Sequence, residues 1–260
     1  MKESFYRLPG PRPLRLALVA DLHGQPPDAV LASLGRRKPD LVCVAGDFVH
    51  GVPPHAGLKL EENPDILRFF RSAAALAPCF VSLGNHEWLL SPEDLALVRE
   101  TGVTLLDNAW VRWEGLVIGG LTSAYVRGYQ AFRADYPGCR YPVPDNIHHV
   151  ARGVRPELDW LEDFTAREGY HLLLCHHPEY WPRYLRPLPI PLTLSGHAHG
   201  GQIRLFGRGL WAPGQGLLPE YTSGLYEGRL LVSRGLSNNV AVPRLFNPTE
   251  LIFLDWEACT

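Results

Sequence analysis

Apolar residues in this chain come in short, dense runs rather than long helical stripes. Leu14 to Ala20, Leu41 to Ala45, Phe80 to Leu83, Leu172 to Cys175 and Leu192 to Ser195 are each bounded by turn or polar residues, the pattern of strands buried on both faces. Helical patterns lie between the early runs. Ser91-Pro92-Glu93-Asp94 offers a capping serine, a first-turn proline and an acid at the third position, with Gly102 as terminator. Asp65 to Leu76 and Pro156 to Glu168 read as helices of the same kind. Strands alternating with helices predict an α/β core.

The later third changes character. Val111 to Ile118, Arg229 to Ser233 and Glu250 to Asp255 read as strands separated by glycine-rich turns, which predicts a second, more antiparallel sheet. No repeat, low-complexity tract or linker interrupts the chain, so residues 1–260 are expected to form one domain of two stacked sheets. Residues 123–153 are rich in Tyr, Arg and Pro with weak periodicity, which marks a long loop beside the site.

Composition narrows the class. With 46% hydrophobic and 20% charged residues in 260, the chain can bury a core and is not disordered. A formal charge of -2 argues against stable nucleic-acid binding through a basic field. The five cysteines are an odd number without C-x-x-C spacing, which suits reduced thiols in the cytoplasm. The N-terminus, Met1 to Pro13, has no apolar leader core, and the run from Leu14 to Ala20 is too short to span a bilayer.

The chemistry lies directly after the apolar runs: Asp21-Leu22-His23, Gly46-Asp47, Gly84-Asn85-His86-Glu87, His176-His177-Pro178 and Gly196-His197-Ala198-His199-Gly200-Gly201-Gln202. Any one of these reads as a turn or cap. Jointly they do not, because no packing need places ligand types at five strand ends. In an open α/β sheet those ends border one crevice.

In this order, D-x-H, G-D, G-N-H-E, H-x-P and G-H-x-H resemble the calcineurin-like metallophosphoesterase superfamily, from about Leu14 to Gln202. The tail, with Val-Ser-Arg-Gly-Leu and Pro-Arg-Leu-Phe-Asn-Pro-Thr-Glu, is similar to a bacterial phosphodiesterase branch often attached to membranes, which leaves peripheral membrane contact open. The resemblance implies a four-layered α/β/β/α sandwich, two mixed sheets flanked by helices. It implies one divalent ion on Asp21, His23, Asp47 and His199, and a second on Asp47, Asn85, His176 and His197, with Asp47 bridging. His86 is then the catalytic histidine, contacting the phosphate and assisting the leaving group.

Physical chemistry agrees with that division. Two cations about 3.5 to 4 Å apart share a hydroxide at neutral pH and clamp phosphoryl oxygens, so no protein nucleophile is needed. Against four positive charges stand Asp21, Asp47 and one hydroxide, leaving a single positive charge that suits the single negative charge of a phosphodiester and leaves a monoester open; a diester or pyrophosphate bond is the expected target. Imidazole, carboxylate and amide ligands without thiolate favour manganese, iron or zinc. The expected substrate is a small-molecule or lipid-linked phosphate ester. A phosphomonoesterase, a protein phosphatase or a non-catalytic metal-binding scaffold are the rivals, and neither the substrate nor the oligomeric state is legible.

Neighbouring residues have plainer expected roles. His177 is expected to pack beside the site, His148-His149 to face solvent, and Cys175 to fill the core. Glu87 either orients His86 or starts a helix at Trp88. His50 stands where the family often has an acid, and Ala20 where it often has serine. Arg127, Arg133 and Arg140 either clamp phosphate or decorate the surface. Leu205 to Tyr226 either walls the substrate or packs.

Overall fold

The computed structural model describes residues 1–50, 60, 63–127 and 155–258. One six-stranded sheet runs in the order β1 (Lys2–Gly10), β16 (Glu250–Ala258), β2 (Leu14–Val19), β3 (Leu41–Ala45), β4 (Cys79–Ser82) and β5 (Thr104–Leu106). The other runs β14 (Gly224–Tyr226), β15 (Leu230–Val232), β9 (Leu192–Ser195), β8 (Tyr170–Cys175), β7 (Leu116–Leu121) and β6 (Ala109–Trp113). Between β9 and β14 the chain makes two small hairpins, β10 (Arg204–Leu205) with β11 (Arg208–Gly209) and β12 (Trp211–Ala212) with β13 (Gly216–Leu217).

Three apolar layers hold the sandwich, and strand alternation sorts residues among them. Leu16, Leu18, Cys43, Leu172, Leu174, Leu192 and Ile252 meet between the sheets. Ala17, Val19, Val42 and Val44 face outward onto Ile66, Phe69, Phe70 and Ala73 of α2 (Pro64–Leu76), and onto α1 (Asp28–Arg37) and α3 (Pro92–Glu100). Leu173 and Cys175 face the opposite way, onto Phe164 of α4 (Trp160–Thr165) and onto Trp181 and Leu185. The result is α/β/β/α, with Cys175 as buried filler.

Helix α3 begins as its sequence demands: Ser91 accepts from the Asp94 N–H, and Asp94 accepts in return from the Ser91 N–H. Other expectations are corrected. Val111 to Ile118 is not one strand, because Glu114 and Gly115 both have positive φ, 45° and 83°, and make the two-residue turn of the β6–β7 hairpin. The second sheet is parallel through β7, β8, β9 and β15 and antiparallel only at its two edges. Glu250 to Asp255 joins the first sheet, antiparallel to β2 and parallel to β1. The helix expected over Pro156 to Glu168 is confined to Trp160–Thr165. Strand β1, unpredicted, pairs along its whole length with β16. Of the loop at 123–153, residues 128–153 lie outside the described residues, Arg133, Arg140, His148 and His149 among them.

Candidate active site

The parallel strands of both sheets end on the same side, and the polar clusters come immediately after them. Asp21 and His23 come from the end of β2, Asp47 from β3, Asn85 and His86 from β4, His176 from β8, and His197 and His199 from β9. Asp21, His23, Asp47, His197 and His199 all adopt the left-handed region, with φ of 55°, 48°, 56°, 63° and 46°. Five strained non-glycine residues in one place are a cost of roughly 1–3 kcal/mol each that the surrounding packing must offset. Glycine therefore serves a different purpose here than turn-making alone. A Cβ on Gly84 would lie 2.3 Å from Asp47 Oδ1, and one on Gly196 2.6 Å from the Ala20 Cβ; both positions are set by close approach.

The loops are pinned to one another through these side chains. Glu87 is the central tie: its carboxylate accepts the backbone N–H groups of Asp47, Phe48, Val49 and Gly84 at 2.7–3.1 Å. It neither orients His86 nor merely starts a helix. Asp47 Oδ1 accepts the His86 N–H at 2.9 Å, and Asp21 Oδ1 accepts the His197 N–H at 3.1 Å, so one oxygen of each acid holds a loop across the site. His176 donates from Nδ1 to the Ala45 carbonyl at 2.7 Å, which turns its Nε2 to Asp47 Oδ2, 3.0 Å away.

Ligand atoms of Asp21, His23 and His199 gather within 4.8 Å of one another, and so do those of Asp47, His176 and His197. His23 Nε2 lies 3.9 Å from Asp21 Oδ1 and 3.8 Å from Asp47 Oδ2, between the two groups. Asp21 Oδ2, His23 Nε2 and Asn85 Oδ1 are buried without a hydrogen-bond partner. Such groups are costly unless something completes them, and cations fit: hard oxygen and imidazole nitrogen donors, deprotonated and aimed inward. His86 Nε2, 3.8 Å from Asp47 Oδ2, is also within ligand reach of His23 and Asp47, so geometry alone does not separate it from the ligands.

Electrostatics divides the two acids. Burial raises the Asp21 carboxyl above its ordinary value, against the pull of His199 and His176. At Asp47 burial acts the same way, but His176, His86 and His23 outweigh it and hold the carboxyl well below the usual range. Burial drives His23 and His197 well below the ordinary imidazole value, which leaves these rings neutral and able to bind a cation.

Four contributors were not read from the sequence. The Asn239 side-chain amide nitrogen lies 3.1 Å from His23 Nδ1 and 3.2 Å from His86 Nε2. Arg244 reaches His199 Nδ1 at 3.2 Å and the Arg234 carbonyl at 2.7 Å. Glu179 lies 3.1 Å from His177 Nδ1 and 3.6 Å from His197 Nε2, and Ser123 Oγ lies 2.7 Å from His177 Nε2. His177 thus packs behind His197, ring to ring at 4.3 Å. Arg127 pairs with Asp107 at 3.1 Å. A cavity of about 300 Å³ opens over Asp47, Asn85, His86, His197 and His199, walled by Tyr125, Trp211, Pro213, Gly214, Asn239 and Val240. A larger one, about 500 Å³, is lined by Leu8 to Pro11, Tyr170, Pro191 and Arg229 at the opposite strand ends and holds no motif residue.

The model of the calcineurin-like phosphoesterase family matches residues 14–201. The chain belongs to that family. It is 26% identical to the UDP-2,3-diacylglucosamine pyrophosphatase LpxG of Chlamydia muridarum, over 93% of this chain and 83% of that protein. It is 25% identical to the phosphodiesterase YaeI of Escherichia coli, over 74% and 63%. The crystal structure of a dimetal phosphatase from Danio rerio superposes with a TM-score of 0.50 at 12% identity, covering 85% of this chain and 87% of that one, which is a likeness of fold. The phosphoesterase expectation therefore stands, with two mixed sheets and clustered Asp and His residues able to bind metal.

Proposed function

We propose that this phosphoesterase hydrolyses a phosphodiester or pyrophosphate bond with two divalent cations, manganese, iron or zinc. Asp21, His23, Asp47 and His199 hold one, and Asp47, Asn85, His176 and His197 the other. The carrying observation is the pair of buried triads, Asp21/His23/His199 and Asp47/His176/His197, each with ligand atoms within 4.8 Å. Bound cations supply activation of water near neutral pH and neutralisation of phosphoryl charge.

The chain's own residues do the remaining work. Glu87 fixes the Asp47 and Gly84 loops through four N–H groups, so the ligands are set before substrate arrives. His86, half-buried at the cavity wall, stands where it can donate a proton to a leaving oxygen. Asn239 constrains its ring. Trp211 and Val240 give the cavity part of its apolar wall.

A diester linkage, with its single negative charge, matches the one net positive charge that the proposed site keeps, whereas a monoester carries about two negative charges. The relative named a UDP-2,3-diacylglucosamine pyrophosphatase favours lipid-linked substrates. The test is turnover of aryl monoesters, aryl diesters and sugar-nucleotide diphosphates by manganese-loaded and metal-stripped protein, alongside Asp47→Asn. Asp47→Asn should lower bound metal and turnover together. Two retained ions with normal activity would remove Asp47 from the bridging role, and faster monoester turnover would reverse the substrate preference.

A further inference from the structure

Beyond the cavity wall, large apolar side chains stand in water. Phe206 is 103% exposed, Phe246 81%, Leu217 80% and Leu218 78%, with Leu205 and Leu245 beside them. Phe206, Leu218 and Phe246 also sit in the left-handed region, with φ of 51°, 51° and 54°. Bulky L-residues are strained there, whereas glycine or asparagine is not. Neighbouring positions take the unstrained choice, with Gly207, in the same turn as Phe206, at 82° and Gly216 at 77°. Nothing within the described fold stabilises an apolar side chain that is both exposed and on strained backbone, so its use lies outside the fold.

The three turns are tied side by side. Phe206 caps the hairpin of β10 and β11. The Arg204 N–H donates to the Leu245 carbonyl at 3.0 Å, the Leu210 N–H to the Ile203 carbonyl at 2.9 Å, and the Leu218 N–H to the Leu210 carbonyl at 2.9 Å. Between the Phe206 and Leu218 turns lies a cavity of about 510 Å³ lined by Arg204, Arg208 and Glu220 among others. Residues 203–218 carry Arg204 and the exposed Arg208 and no acid, while Arg244 of residues 239–246 turns inward to His199. The same segments supply Trp211, Pro213, Gly214, Asn239 and Val240 to the wall of the active-site cavity.

We propose that these turns dock the protein on an anionic lipid bilayer, with Phe206, Leu218 and Phe246 entering the acyl boundary and the exposed Arg208 at the level of the lipid phosphates. Separate apices, each projecting from its own turn, fit a fluid surface that closes around them; a rigid partner would need a pit for each. No helix among the described residues is long and apolar enough to cross a membrane, so this contact is peripheral. Docked in this way, the cavity opens at the lipid boundary.

The test is cosedimentation of the whole chain with vesicles of equal parts phosphatidylcholine and phosphatidylglycerol, against phosphatidylcholine alone. Binding should favour the anionic vesicles. The triple variant Phe206→Asn, Leu218→Asn, Phe246→Asn should bind about tenfold or more weakly while its melting temperature is not lowered, since asparagine tolerates the left-handed backbone. Hydrolysis of a soluble aryl diester should be unchanged, so vesicle binding and the substrate reading fail independently. Should the triple variant fold poorly, Arg208→Gln, at an exposed position, should still weaken anionic-vesicle binding selectively. Wild-type protein that ignores vesicles, a well-folded triple variant that binds as before, or equal binding to phosphatidylcholine alone would overturn the proposal. So would sedimentation equilibrium showing a wild-type dimer that the triple variant dissolves, which would give the face to a second copy.

Discussion

His86 shows how far single residues can be assigned. It shares its motif with Asn85 and lies within ligand reach of Asp47 and His23, yet its proposed task is to act on the substrate. A positioned proton donor contributes about 10² to 10⁴ in rate, so His86→Asn should lower kcat in that range with metal content unchanged. The loss should be smaller for nitrophenyl esters than for alkyl esters, because a phenolate departs with little protonation. A lost ion would make His86 a ligand, and equal slowing of both esters would make it a charge stabiliser. The motif residues were legible because each comes directly after an apolar run. Asn239, Arg244 and Glu179 were not: Glu179 follows β8 but stands one residue past the H-x-P motif, Asn239 and Arg244 lie well past the end of β15, and only folding brings them to His23, His199 and His197. Glu87 was visible as a letter of its motif, but its role as acceptor of four N–H groups depends on the path of the β3 loop.

Among the elements, legibility tracked burial. Strands β2, β3, β4, β8 and β9 are buried on both faces and announced themselves as apolar runs. Strand β1 is an edge strand whose exposed positions carry Lys2, Phe5, Arg7 and Pro9 in turn with less exposed ones, a pattern that looks like a polar terminus until its partner β16 is known. Its attachment is also electrostatic. Glu3 accepts from Ser33, Arg36 and Arg37 of α1 at 2.6–2.8 Å, and the Ser33 hydrogen bond, then the two guanidiniums, hold its carboxyl at about 2. A depressed carboxyl stabilises the fold above its unfolded value, near 4.5, and that contribution disappears as pH falls through about 2. Glu3→Gln should therefore cost about 1 kcal/mol at neutral pH, as expected for a partly exposed pair. Urea titrations of both proteins should converge between those two values, and a constant difference across that window would show that the charge of Glu3 contributes nothing.

At the scale of the whole molecule, the site is a seam. Asp21, His23, Asp47 and Asn85 belong to one sheet, and His176, His197 and His199 to the other, while the sheets otherwise meet through the apolar layer of Leu16, Leu18, Leu172, Leu174 and their neighbours. Each proposed cation takes ligands from both sheets, so binding joins them at the end where the apolar layer gives way to polar side chains. It also relieves two costs of the folded chain: the close approach of the two buried acids, and the unpartnered Asp21 Oδ2, His23 Nε2 and Asn85 Oδ1. The unfolded chain offers no such arrangement, so binding is linked to folding. At a hundred times the dissociation constant, a single site contributes about 2.7 kcal/mol, which for a chain of this size corresponds to a rise in Tm of roughly 5–10 °C. Calorimetry of metal-stripped protein with and without manganese should show that rise, and Asp47→Asn, which removes the shared ligand, should lose most of it. An unchanged Tm would mean that the folded chain does not bind manganese preferentially, and the same rise in the variant would mean that metal binds elsewhere than across the two sheets.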